Sequence, residues 1–302
     1  MARIAFLFSG QGDQYPGMGK DLYENHPEAK EIFDLCDAIR PGTAKMCFSG
    51  TEEQLRETRN TQPCLFAVEL AAARVLSAHG IRPQAAAGFS LGELAALTFA
   101  GMVDMETGFR LVCRRAELMQ AAAEKADTSM AAVVKLDNEK VRELCSKYSA
   151  VYPVNYNCPG QVSVAGLRSE MEAFAADVKN AGGRAIPLKV SGGFHSPFMQ
   201  EASAAFAEAL SGISFQKGEV VLYSNKTAEP YGEDAARLLA EQICSPVRWE
   251  ETIRHMTASG IDTFVEVGPG KTLANMMKKI DAQARVYAVC ELPVLLSEVA
   301  KC

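Results

Sequence analysis

The stretch Ala85-Ala86-Ala87-Gly88-Phe89-Ser90-Leu91-Gly92-Glu93-Leu94 decides how this chain is read. Residues 85–89 are a short, small-residue apolar run of strand type, and 91–100 are helical. Between them Gly88-Phe89-Ser90-Leu91-Gly92 matches G-x-S-x-G, a turn that presents a serine nucleophile at the top of a parallel sheet. The spacing has a steric reason. A serine on so sharp a strand-to-helix turn has crowded backbone angles. Glycines two before and two after it let strand and helix pass closely. The amide after the serine then lies at a helix N-terminus, where a free N–H and the helix dipole favour an oxyanion. A plain βα turn shares this five-residue pattern, so the nucleophile reading needs partners.

Working outward, apolar runs of strand length alternate with longer helical ones. Residues 4–8 read as a buried strand ending in Ser9-Gly10-Gln11-Gly12, and Pro63 opens a long helix to about 79. Asp104 caps a helix running to about 123, and the alternation resumes from 197 to a last strand at 285–288. This order predicts a mostly parallel sheet with helices on both faces. Residues 130–190 instead run β-α-β-β-α-β, the ferredoxin-like order. The expected fold class is therefore α/β: an α/β-hydrolase-like core of residues 1–124 and 197–302, interrupted by a ferredoxin-like α+β subdomain at 125–196.

Composition suits that fold. The 302 residues are 48% hydrophobic and 23% charged, with a formal net charge of −6. Disordered chains bury far less. The acidic balance argues against broad nucleic-acid binding, which sets many cations against phosphates. Nine cysteines, an odd number running from Cys36 to Cys302, include no C-x-x-C pair and no zinc-like cluster. No metal is expected. The first apolar run is too short for a signal peptide and the longest uncharged run, 148–167, is broken by prolines and a glycine, so a cytoplasmic protein is expected.

A serine nucleophile needs a base. The four histidines are His26, His79, His195 and His255. His26 precedes a proline at a helix cap, His79 adjoins the helix-ending Gly80, and His255 falls within a helix. His195 lies in Ser191-Gly192-Gly193-Phe194-His195-Ser196-Pro197, a loop shaped by glycine and proline, which makes it the best candidate. A second oxyanion donor is available in Gly10-Gln11-Gly12, which follows the first strand and so shares the sheet edge with Ser90. Neither glycine turn is a nucleotide cradle: G-x-G-x-x-G would need glycine where Tyr15 stands, and a Walker loop ending Gly270-Lys271-Thr272 would need it where Val265 stands.

Arg115 stands out by helical geometry. Phe109, Val112, Ala116, Met119 and Ala123 make one stripe, and Arg115 lies roughly 70° from its centre, at the edge of the buried face. A guanidinium there needs an anion. A salt bridge to an internal acid and a clamp for a substrate carboxylate both meet that need.

Together these motifs resemble the malonyl-CoA:acyl carrier protein transacylases and the acyltransferase domains of polyketide synthases. The matching pieces are Phe8-Ser9-Gly10-Gln11-Gly12-Asp13-Gln14, Thr61-Gln62-Pro63, Gly88 to Glu93, Arg115, Asn155-Tyr156-Asn157-Cys158-Pro159-Gly160-Gln161-Val162, Gly193-Phe194-His195-Ser196, Gln242 to Trp249 and Glu266-Val267-Gly268-Pro269-Gly270-Lys271. The resemblance implies that Ser90 attacks malonyl-CoA, that His195 takes its proton, and that the malonyl ester passes to the phosphopantetheine thiol of acyl carrier protein. It further implies that the Gln242 backbone carbonyl orients His195, that the Gln11 and Leu91 amides form the oxyanion hole, and that Arg115 binds the malonyl carboxylate. Phe194 matches the malonyl-selecting position, and Phe89 and Met119 are expected to shape the acyl pocket. Phe89 stands where the family usually has His, and Ser9 where it usually has Pro.

No cofactor is implied; the partners are malonyl-CoA and a strongly acidic, transiently bound acyl carrier protein, met by a monomer. An acidic enzyme needs a local basic face for such a partner, with Arg184, Lys189, Lys271, Lys278 and Lys279 as candidates. Fatty acid synthesis is the expected setting. A free-standing polyketide acyltransferase is the alternative, and a serine hydrolase or thioesterase a more distant one, since such a pocket has little use for a buried cation.

Overall fold

The computed structural model describes residues 2–190 and 192–299, so Ser191 of the histidine loop and Cys302 lie outside it. Its nine strands are β1 (Ile4–Phe8), β2 (Ala85–Gly88), β3 (Thr128–Val134), β4 (Val151–Cys158), β5 (Gln161–Leu167), β6 (Arg184–Pro187), β7 (Val221–Tyr223), β8 (Thr263–Val267) and β9 (Arg285–Ala288). Five form one sheet in the order β7-β2-β1-β8-β9, every neighbouring pair parallel. The other four form a separate antiparallel sheet ordered β4-β5-β3-β6. That is the strand order of a ferredoxin-like fold, and the α/β class read from the sequence is the class observed.

The parallel strands are buried on both faces. Every residue of β1, β2 and β8 is buried, as expected of a sheet covered by helices on each side. The small residues of β2 have a packing reason. A Cβ on Gly88 would sit 1.9 Å from the backbone of Gly92, and one on Gly92 would sit 2.4 Å from the Ser9 carbonyl oxygen. The helix Gly92–Phe99 therefore leaves β2 at backbone-to-backbone distance, beside β1. Register completes the arrangement: Phe8 of β1 pairs with Gly88 of β2 and with Val267 of β8. The loops that follow β1, β2, β7 and β8 open along one edge of the sheet, where a parallel α/β sheet offers its crevice.

The antiparallel sheet faces that edge and is stitched to the core. Tyr156 N donates to the Val247 carbonyl at 2.9 Å, and Val247 N donates to the Val154 carbonyl at 2.8 Å. One local expectation is corrected. The long helix begins at Thr58 and runs to Ala78 with Pro63 inside it. Its opening turn is held by Thr61, whose hydroxyl donates to the Leu55 carbonyl at 2.5 Å and to the Glu57 carbonyl at 3.0 Å. Pro63 is the sixth residue of this helix, beyond the first turn, so it forgoes the amide bond to the Arg59 carbonyl that another residue there would make.

Candidate active site

Ser90 sits between β2 and the Gly92–Phe99 helix with φ 57°, a left-handed conformation that costs a non-glycine residue energy and persists only where its surroundings hold it. Asn225, just after β7, supplies that hold. Its side-chain N–H donates to the Gly88 carbonyl at 2.6 Å, and its side-chain oxygen accepts from Ser90 N at 2.7 Å.

His195, also in a left-handed conformation at φ 59°, brings Nε2 to 2.7 Å from Ser90 Oγ. Its Nδ1 lies 2.9 Å from the Gln242 backbone oxygen. A carbonyl only accepts, so Nδ1 carries the proton and Nε2 is free to take one from the serine. Burial and the nearby Arg115 charge push the His195 pKa down to about 4, so the imidazole is neutral at pH 7. The Ser90 N–H is spent on Asn225. Among the described residues, no protein acceptor takes the backbone amides of Leu91 and Gln11, and the two residues line the same cavity as Ser90.

That cavity, of about 80 Å³, is lined by Gln11, Phe89, Ser90, Leu91, Met119, Phe194 and His195, with Gln62, Met130, Asn155, Leu188 and Val190. Every site residue named from the sequence is thus in or against it, apart from Arg115 and Gln242, which lie immediately behind. Phe89 packs edge-on against Trp249 with ring centroids 5.4 Å apart. Met119 Sδ accepts from Gln62 Nε2 at 3.5 Å.

Arg115 lies deeper than its helical position predicts, only 1% exposed. Its Nη1 donates to Gln62 Oε1 at 2.7 Å; its Nη2 donates to Gln242 Oε1 at 2.7 Å and to Ser90 Oγ at 3.2 Å. Among the described residues no carboxylate lies within ion-pair distance of it, so an internal salt bridge is not what keeps it. Burial lowers its pKa to about 10, which leaves it charged by about a thousand to one at pH 7.

Four site residues had no role in the sequence reading. Gln62 and Glu93 stood inside quoted motifs. Asn225, a polar residue two positions past the edge strand β7 at the sheet's C-terminal side, was findable on that ground. Tyr231, which reaches in to donate to Glu93, carries no local signal. The proposed docking cations divide. Arg184 opens β6 and Lys189 follows its other end, on the order of 15 Å away at about 3.3 Å per residue. Lys271 pairs with Glu291 at 2.5 Å, and Lys278 and Lys279 close the helix Thr272–Ile280.

With this geometry in hand, comparison with known proteins is specific. A family model described as an acyl transferase domain matches residues 5–295. A malonyl CoA-acyl carrier protein transacylase of Bacillus subtilis (strain 168) is 38% identical over 299 residues, covering 96% of this chain and 94% of the relative. Its counterpart from Escherichia coli (strain K12) is 35% identical, covering 93% of each. Among solved structures, the malonyl CoA-acyl carrier protein transacylase of Clostridium perfringens superposes with a TM-score of 0.95 at 36% identity, covering 99% of this chain and 98% of that one. A malonyl-transacylase solved in complex with a type II PKS acyl-carrier protein gives 0.91 at 34% identity, with 95% of each chain covered.

Proposed function

The chain belongs to the acyl transferase domain family, and from that premise we propose that it moves a malonyl group from malonyl-CoA to the phosphopantetheine thiol of acyl carrier protein through an ester on Ser90. The observation that carries this reading is the buried Arg115 guanidinium, 3.2 Å from Ser90 Oγ and without a carboxylate partner among the described residues. A site that acylates a serine and keeps beside it a cation that no carboxylate touches directly suits an acyl group bearing its own carboxylate.

The steps follow from the groups present. Ser90 Oγ attacks the thioester carbonyl as His195 Nε2 takes the hydroxyl proton. The Gln11 and Leu91 amides receive the negative charge that develops on the carbonyl oxygen. Collapse breaks the C–S bond, and His195 returns its proton to the departing CoA sulfur. The carrier thiol then attacks the ester in the same way, giving its proton to His195, which passes it to Ser90 Oγ. Side chains and backbone amides of this chain carry every step of the cycle so written, with no cofactor. Phe194, Phe89 and Met119 bound the space left to the acyl chain. The reading places the enzyme in fatty acid synthesis, as a monomer in the cytoplasm. Among the described residues no helix is long and apolar enough to cross a membrane.

The test is to incubate the protein with labelled malonyl-CoA and holo acyl carrier protein. Label should appear on the carrier, and with Ser90→Ala neither malonyl-enzyme nor malonyl-carrier should form. Release of free malonate in place of transfer would make the protein a hydrolase instead.

A further inference from the structure

Glu93 is fully buried in the first turn of the helix that follows Ser90, and the catalytic cycle above does not use it. Every neighbour recorded at its carboxyl is a donor. Tyr231 Oη–H donates to Oε1. Gln242 Nε2 donates to Oε2 at 2.7 Å, and the backbone N–H of Asn225 donates to the same oxygen at 3.2 Å. That set suits an ionised acceptor; burial pushes the Glu93 carboxyl up to about 7, and these donors with the Arg115 charge hold it from going higher, so that about half of it is charged at pH 7.

The consequence falls on Gln242. An amide side chain offers hydrogens on one side and lone pairs on the other. Its Nε2 also donates to the Ser90 backbone oxygen at 2.7 Å and lies 3.4 Å from Asn225 Oδ1, so the acceptors on that side leave only Oε1 to face Arg115, at 2.7 Å. With the amide turned over, NH2 would meet the guanidinium donor to donor, and its oxygen would meet a carboxylate and a carbonyl. The buried cation and the buried acid are thus joined through one oriented amide, Arg115–Gln242–Glu93, whose charges balance across it. Burial without a partner is costly for either charge alone.

We propose that Glu93 is a positioning and specificity-determining residue: by fixing the orientation of the Gln242 amide it holds the Arg115 guanidinium where the carboxylate of the incoming acyl group must bind. This rests on the malonyl-transfer reading. Glu93 touches no substrate; it acts through Gln242. Removing its charge should therefore penalise a carboxylated acyl group and largely spare a neutral one of similar reach. A merely structural role would lower both alike.

The experiment measures kcat/KM for acyl-enzyme formation with malonyl-CoA and with acetyl-CoA, in the wild type, Glu93→Gln and Tyr231→Phe, with folding checked by circular dichroism. Glutamine at 93 keeps the shape and loses the charge. The malonyl-to-acetyl ratio should fall about tenfold, the effect of losing one charge-assisted hydrogen bond. Equal losses for both thioesters, or an unchanged ratio, overturn the proposal. Should Glu93→Gln fail to fold, Tyr231→Phe decides: it removes one donor from the carboxylate and should lower the ratio about threefold, and an unchanged ratio overturns the proposal. A wild type that forms no malonyl-enzyme refutes the activity itself; a wild type that does, with no ratio change in the variants, refutes only the role of Glu93.

Discussion

Replacing Arg115 with alanine tests the central claim of the site. The guanidinium is 1% exposed and donates to Gln62, Gln242 and Ser90 Oγ at 2.7, 2.7 and 3.2 Å. Two opposing terms set the effect on stability. The variant orphans Gln62 Oε1 and Gln242 Oε1, at about 1–3 kcal/mol for each buried acceptor left unpaired. It also removes a buried cation, which offsets part of that cost, but it leaves Glu93 without the charge that balances it through Gln242, which adds to the cost. Thermal stability should therefore fall, by roughly 2–4 °C for each 1 kcal/mol of net loss. The effect on chemistry has no such offset. A malonyl carboxylate entering the altered site would be desolvated with no cation to meet it, a loss of about 2–5 kcal/mol for one partner of a buried charge pair. At about 1.4 kcal/mol per tenfold, kcat/KM for malonyl-CoA should fall by two orders of magnitude or so. Acetyl-CoA, which lacks the carboxylate, should acylate Ser90 as well as before or better. Intact-mass measurement of acyl-enzyme formed from each thioester reads the ratio directly. Equal losses for malonyl and acetyl, or undiminished malonyl acylation, would refute the reasoning and send the search for the clamp elsewhere.

Other outcomes follow from the same geometry. His195 is held neutral to about pH 4 by burial and by Arg115, so the acylation rate at saturating acetyl-CoA, which does not use the Arg115 clamp, should stay level from pH 8 to about 5 and fall only as Nε2 protonates below that. Removing the Arg115 charge takes away a cause of that depression, so in Arg115→Ala the acid limb, followed with acetyl-CoA, should move to higher pH; an unmoved limb would show that the two groups are not coupled. Gly88→Ala drives a methyl to within 1.9 Å of the Gly92 backbone. Overpacking of that severity should cost about 3 kcal/mol or more and shift the denaturant midpoint down, whereas an unchanged midpoint would mean that strand and helix part freely.

Much was legible in the sequence because it is local. The elbow around Ser90 announced itself because a strand, a helix and two backbone approaches need particular residues at particular spacings. The two sheets were legible because the parallel strands β1 and β2 are apolar throughout, while residues 130–190 change texture. Pro63 misled because a proline signals a helix start, and nothing local showed that Thr61 would hold a turn before it.

What the sequence by itself determined was the order of elements, with Ser90 as the candidate nucleophile and His195 as its candidate base by the weakness of the other histidines. Tertiary structure decided the rest of the site. Sequence position left Arg115 at the edge of a helix face with two readings open; only packing showed that neutral amides of Gln62 and Gln242 contact it and that, among the described residues, no acid does so directly. Tyr231, Asn225 and Glu93 meet because β7 lies beside β2 in the sheet, across more than a hundred residues of chain. Hydrogen bonds over such separations depend on where the strands dock, and no window of sequence contains both partners.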